Sequence, residues 1–289
     1  MTTWGAASAD DFEREESLPG GTANRGLVAR VGATVRRPQH EGSPAVHQLL
    51  LHLENEGFDG APRYLGEDDQ GREVLSYIDG EAAIEPYPEW SKQDDALVSV
   101  ARLLRRYHAA VRTFDGSSHR WASTVPGAYR DGLLSHNDPN LDNFIFRDGE
   151  AVALIDFDLA SPGSALWDVA LAARLWVPLR DPYDVPDDRA RRTRDRLRLF
   201  ADAYGLTHAE RARLADAAKQ SHAWCYDIVR AGAAEGRPGF VQSLATGLAE
   251  HDDRGRRWLA SHQRSLQEAV TQASPTHETD NRPDRGGNR

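Results

Sequence analysis

The stretch Leu134-Ser-His-Asn-Asp-Pro-Asn-Leu-Asp-Asn-Phe-Ile-Phe-Arg-Asp-Gly-Glu-Ala-Val-Ala-Leu-Ile-Asp-Phe-Asp158 carries most of the information in this chain. Two short apolar runs, Phe144 to Phe146 and Val152 to Ile155, flank Arg147-Asp148-Gly149-Glu150. Asp-Gly between apolar runs is a hairpin-turn signal. A hairpin brings its open ends together. Asn143 stands just before the first strand and Asp156 just after the second, so the pattern predicts adjacent side chains, with Asp138 close by on the preceding loop. An amide oxygen and a carboxylate at one spot suit Mg²⁺, which takes hard oxygen ligands and keeps waters for phosphates to replace. Asp138, near that metal but separate from it, is placed to take a proton from a hydroxyl while the metal neutralises phosphate charge.

Each of these residues alone is an ordinary loop residue. Their spacing is not ordinary. His136-x-Asp138, four further residues, Asn143, a hairpin and Ile155-Asp156-Phe157 follow the order of the catalytic and metal-binding loops of protein kinases. The segments His136-Asn-Asp138-Pro-Asn-Leu-Asp-Asn143, Ile155-Asp156-Phe-Asp158 and Leu166-Trp-Asp168-Val-Ala resemble the aminoglycoside phosphotransferase family, which also contains choline, homoserine and fructosamine kinases. The resemblance covers about residues 18–260 and implies a protein-kinase-like fold. It implies catalytic residues Asp138, as base, and His136, as brace of the loop. Asn143 and Asp156 become metal ligands, and Asp168 a buried acid that hydrogen-bonds the catalytic loop. ATP or GTP with Mg²⁺ are the implied cofactors.

The chain departs from the family pattern in three places. Asn137 stands where the family commonly has glycine. The only lysines are Lys92 and Lys219, so the phosphate-holding lysine expected near the third strand is replaced by Arg36 or Arg37. Arg36 is preferred, because Val35 and Arg36 point to opposite faces of a strand and Val35 suits the core. The helix glutamate that pairs with that lysine falls on Val46, with His47 beside it, which predicts that the anchoring ion pair is missing. Leu18 to Asn24, with Gly20, Gly21 and Thr22, is the expected phosphate-covering loop, since glycines let backbone N–H groups approach oxygens closely. Tyr77 and Ile78 lie on the expected linker, where backbone meets the adenine edge. Trp224, Tyr226, Asp227 and Glu235 fall in the part that lines the acceptor side in this family, with Trp224 read as core.

Outward from the motif, the chain divides into a β-rich unit and a helical unit, an α+β fold of two lobes. Short strands are expected at Leu27–Val31, Thr34–Arg36, Arg63–Gly66 and Glu73–Ile78, with a helix from Ser43-Pro44 to Gly57. Leu97, Val100, Leu103, Leu104, Tyr107 and Val111 recur at helical spacing within 90–114, and 189–230 and 240–271 are again helical. The expected organisation is a disordered 1–16, an N-lobe at 17–80, a C-lobe at 81–271 and a disordered tail at 272–289. A cleft between two such units is a common ligand site.

Composition narrows the partners. The chain has 289 residues with a net charge of −10, which argues against a protein that wraps nucleic acid. No apolar run approaches the roughly 18–20 residues needed to span a bilayer. The single cysteine, Cys225, forbids an internal disulfide and suits a reducing, cytoplasmic setting. The expected function is Mg²⁺-dependent transfer of the γ-phosphate of ATP or GTP to a hydroxyl of a small acceptor, such as an aminoglycoside or another hydroxylated metabolite. The main alternative is a nucleotide-binding pseudokinase, suggested by the missing lysine and glutamate. A metal-dependent hydrolase needs a further His or carboxylate cluster at ligand spacing, and the sequence has none.

Overall fold

The computed structural model describes residues 15–18 and 26–272. The expected phosphate-covering residues Gly20, Gly21 and Thr22 lie outside the described residues, as do most of the two expected disordered ends.

Five antiparallel strands form the first sheet: β1 (Glu16–Ser17), β2 (Ala29–Val31), β3 (Thr34–Arg37), β4 (Tyr64–Glu67) and β5 (Glu73–Ser76), in the order β1-β2-β3-β5-β4. Thr34 to Arg37 pair with Ser76 to Glu73, which sets Val35 opposite Leu75 and Arg37 opposite Glu73. Between β3 and β4 runs helix α1 (Ser43–Asn55), with Pro44 in its first turn, where no intrahelical N–H is needed. Val46, Leu49, Leu50 and Leu53 form its buried stripe. The helix ends before Gly57, whose φ of 70° suits glycine.

The chain leaves β5 through Tyr77–Gly80 and enters β6 (Glu81–Ala82), which pairs with the hairpin strand β8 (Phe144–Arg147). Gly80 makes this crossing possible. Its φ is 145°, and a Cβ there meets Phe146 O at 2.5 Å. β8 and β9 (Glu150–Leu154) form the predicted hairpin, while β7 (Leu133–Ser135) pairs with β10 (Ser161–Gly163). The stretch from His136 to Asp158 is thus held at both ends by short ladders.

The rest is helical: α2 (Asp94–Ala110), α3 (Ala165–Trp176), α4 (Arg189–Tyr204), α5 (His208–Ala234), α6 (Pro238–Ala245) and α7 (Leu248–Thr271). The segment read as helical over 189–230 is two helices. Gly205, at φ 81°, ends α4, and a reciprocal capping box between Thr207 and Glu210 starts α5. Trp167, Trp176, Tyr107, Phe144, Phe157 and Phe200 are fully buried and anchor the large core. Among the described residues no helix is long and apolar enough to cross a membrane.

Candidate active site

The hairpin ends meet. Ile155 N–H donates to Asn143 O at 2.9 Å, which fixes the start of β8 against the end of β9. Asp156 follows with φ 63°, a left-handed conformation that a non-glycine residue adopts at a cost. This turn sends Phe157 into the core and leaves Asp156 lining the cleft. Asn143 Nδ2 donates to Asp138 O at 2.8 Å and to Asp138 Oδ2 at 3.0 Å. With its nitrogen so used, Asn143 has Oδ1 left for a cation. Asn143 Oδ1 and the Asp156 carboxylate are hard oxygen donors on one cleft wall, a set that fits Mg²⁺.

Burial, then the charges of Asp156 and Asp142, push the Asp138 carboxyl well above the ordinary carboxylate range. Asp156 is likewise raised, by burial first and by Asp158 second. A cluster of carboxylates at one place is costly unless cations enter it.

The protein's own cation there is Arg37. Its Nε donates to Glu73 Oε1 at 2.5 Å, Nη1 to Asp156 Oδ1 at 3.2 Å, and Nη2 lies 2.7 Å from Asp158 Oδ1. Burial works against the charge of Arg37, but Asp158, Asp156 and Glu73 outweigh it and raise its pKa. Arg36, preferred on sequence grounds, points elsewhere: its guanidinium contacts Thr34 Oγ1 at 2.8 Å and lies 3.8 Å from Asp68. The reason is the strand face. Val35 lines the cleft, and the residue two further along shares its side.

The anchoring ion pair is present in a different form. Glu73, fully buried on β5, takes Arg37 on one oxygen and His47 Nε2 on the other, at 2.6 Å. His47 also stacks on Tyr64, with ring centroids 3.8 Å apart. The helix therefore reaches Arg37 through a histidine and a strand carboxylate. Pairing in the sheet places Glu73 opposite Arg37, which sequence spacing alone does not show.

His136 holds the loop from inside. Asp138 N–H donates to its Nδ1 at 3.2 Å, and its Nε2 donates to Ile155 O at 3.0 Å. Burial lowers its pKa to about 4, so the ring is neutral near pH 7. Both ring nitrogens are occupied by backbone, which makes His136 a positioning residue. Asp168 completes the brace. Its Oδ2 accepts from His136 N–H at 2.7 Å and faces His108 Nε2 at 2.9 Å, while Oδ1 accepts from Asn137 N–H at 2.7 Å. Asn137 has φ 68°, and its Nδ2 donates to Leu159 O and to Ser161 Oγ, each at 2.8 Å. Asparagine tolerates that backbone better than most residues, so it can stand where glycine is expected.

The main cleft holds about 280 Å³. Val28, Val35, Leu75, Ile84, Ile145 and Ile155 give it apolar walls; Arg37, Asp142, Asn143 and Asp156 gather at one end; Ser76 to Ile78 run along its edge. A second cavity of about 250 Å³ lies among α3, α5 and α7. Tyr226 lines it, whereas Asp227 and Glu235 are exposed beside Arg230 and Arg237. Trp224 packs on the core, edge-on to Trp167 with its indole N–H on Thr124 O at 2.9 Å.

This architecture, a small antiparallel sheet followed by a helical region with a braced His-x-Asp loop, is the protein-kinase-like fold of small-molecule phosphotransferases. Residues 119–200 match the phosphotransferase enzyme family. The chain is 34% identical over 215 residues to the trifolitoxin immunity protein of Rhizobium leguminosarum bv. trifolii, covering 70% of this chain and 78% of that one. The chain belongs to the phosphotransferase enzyme family. In fold it is similar to a choline/ethanolamine kinase family protein from Mesorhizobium loti, with TM-score 0.59, 19% identity and coverage of 91% and 94% of the two chains. It is also similar to aminoglycoside 2′-phosphotransferase-IIIa in its GDP complex, with TM-score 0.54, 14% identity and coverage of 88% and 93%.

The arginine assignment is testable at once. Arg37→Ala is expected to weaken binding of the Mg²⁺–nucleotide by roughly 10- to 150-fold, the range of a lost charge-assisted contact of about 1.5–3 kcal/mol. Arg36→Ala is expected to leave it within about threefold, because its guanidinium is turned away from the cleft toward Thr34 and Asp68. Titration calorimetry of both variants checks this, and equal effects at the two positions refute it.

Proposed function

We propose that the protein is a Mg²⁺-dependent small-molecule kinase that moves the γ-phosphoryl group of ATP or GTP to a hydroxyl of its acceptor. The observation that carries this reading is the convergence of Asn143, Asp156 and Arg37 in one apolar-walled cleft, with Asp138 hydrogen-bonded to Asn143. The base is expected to lie between the apolar walls. Tyr77 N–H is taken by Ala33 O at 2.9 Å, so Ile78 is the linker residue to offer its N–H to the base edge. Mg²⁺, held by Asn143 Oδ1 and Asp156, neutralises charge on the phosphates. Arg37 provides a further positive charge in the same corner, in a planar fork. Asp138 accepts the acceptor's proton. Its raised pKa makes it a stronger base than an exposed aspartate. The pseudokinase alternative loses its motive, because Arg37, Glu73 and His47 form a substitute for the missing lysine–glutamate pair.

The acceptor is a hydroxylated small molecule. Aminoglycosides and amino alcohols belong in a screen, and so do hydroxyl-bearing toxins, since a relative is named an immunity protein. Mg²⁺–ATP or Mg²⁺–GTP at about 100 times its dissociation constant is expected to stabilise the fold by about 2.7 kcal/mol. For a chain of this size that raises Tm by roughly 5–10 °C. Chelating the metal is expected to remove most of the shift. No shift with either nucleotide refutes the proposal. Consumption of ATP across the acceptor screen then identifies the substrate.

A further inference from the structure

The second cavity carries a charge pattern at odds with the chain as a whole. The protein is acidic, with a net charge of −10, yet two arginines, Arg174 of α3 and Arg180 just beyond it, face this cavity together. Arg174 Nη1 donates to Cys225 Sγ at 2.8 Å and to Ser221 O at 3.3 Å. Among the described residues it forms no ion pair, and Arg180 forms neither an ion pair nor a hydrogen bond. The nearby carboxylates have cations of their own. Asp252, the one acid lining the cavity, pairs with Arg256 at 2.9 Å and lies 2.9 Å from His222, whose pKa burial lowers. Asp184, close outside, is met by Arg254 at 2.5 Å and by His251 at 3.3 Å. Two guanidinium groups therefore face the cavity with no ion pair of their own among the described residues, and Asp184, already paired with Arg254, offsets Arg180 only in part.

We infer that the second cavity is an anion site in which Arg174 and Arg180 bind a carboxylate or a phosphate of a small ligand. The paired positive charge excludes polycations such as aminoglycosides from this cavity. Burial, reinforced by Arg174, lowers the Arg180 pKa to about 10, although Tyr87 and Asp184 pull the other way. A forked guanidinium suits planar or tetrahedral oxyanions, and two of them give a site that a polyamine cannot enter without repulsion. The acidic exterior then sets no preference; the local pair does.

The test uses the full chain saturated with Mg²⁺–ADP, so that added anions do not compete at Arg37. Inorganic phosphate and malonate are titrated separately and Tm is read, which distinguishes a phosphate site from a carboxylate site. At least one of them is expected to stabilise the wild type, and Arg180→Met and Arg174→Met are each expected to weaken its binding by roughly tenfold or more. The Mg²⁺–ADP shift stays as in the wild type in both variants. Two results overturn the inference: no stabilisation of the wild type by either anion, or stabilisation unchanged in both variants. Stabilisation by kanamycin in place of the anions overturns it as well. Failure of Mg²⁺–ADP to shift Tm is a separate result, which refutes the kinase reading while the anion titration still reports on the cavity.

Discussion

Asp138→Asn is expected to lower turnover on the true acceptor by roughly 10²–10⁴-fold, the usual size of a lost general base. Nucleotide affinity is expected to stay within a few-fold, because Asn143 and Asp156 remain. The substitution is nearly isosteric, and Asp138 Oδ2 only accepts a hydrogen bond from Asn143 Nδ2, so the loop should keep its shape. Asp156→Asn gives the contrasting pattern. It removes the charge of a proposed metal ligand and of one partner of Arg37, so binding and turnover are expected to fall together and the Mg²⁺ requirement to rise. The separation of the two outcomes carries the argument more than their size. Single-turnover kinetics with calorimetry on both variants measures it. Near-normal turnover in Asp138→Asn removes Asp138 as the base.

The second large effect is on stability. Asp168→Ala is expected to destabilise the fold by about 3–5 kcal/mol, the cost of breaking a buried pair from one side. Asp168 is fully buried, and its carboxylate satisfies two backbone N–H groups and His108 at once. Removing it leaves His136 N–H and Asn137 N–H without acceptors in the interior. The loss corresponds to roughly 6–20 °C in Tm for a domain of this size. Asp168→Asn keeps an oxygen and should recover part of it. Differential scanning calorimetry decides; a change under about 1 kcal/mol in Asp168→Ala refutes the bracing role. A folded remnant of Asp168→Ala should also show slow turnover, since the loop that carries Asp138 has lost its anchor.

The hairpin, and with it the meeting of Asn143 and Asp156, was legible from Asp148-Gly149 between two apolar runs. Turn chemistry is local, and a hairpin leaves no choice about which residues meet. Helix α1 was legible for the same reason: Pro44 opens it, Gly57 closes it and the apolar stripe repeats at 3.6-residue spacing. The split of the segment 189–230 at Gly205 is marked only by the Thr207–Glu210 capping box, a weaker signal than the helical periodicity on either side.

What could not be read locally depends on facing partners. The choice between Arg36 and Arg37 turns on which face of β3 looks into the cleft. Val35 lies on the cleft side, and a core residue and a cleft residue have the same apolar character in sequence. The substitute ion pair needed Glu73 to stand opposite Arg37 across two strands and His47 to arrive from a helix, three positions with no common spacing. Arg174 and Arg180 are two among many arginines in an acidic chain. Their lack of ion pairs of their own appears only once Asp252 and Asp184 are seen to pair with Arg256 and Arg254. Composition, turns and periodicity act over neighbouring residues, so they specify the elements and the catalytic loop. Electrostatic partnership acts through space in a medium of low dielectric, so it is specified by how those elements pack.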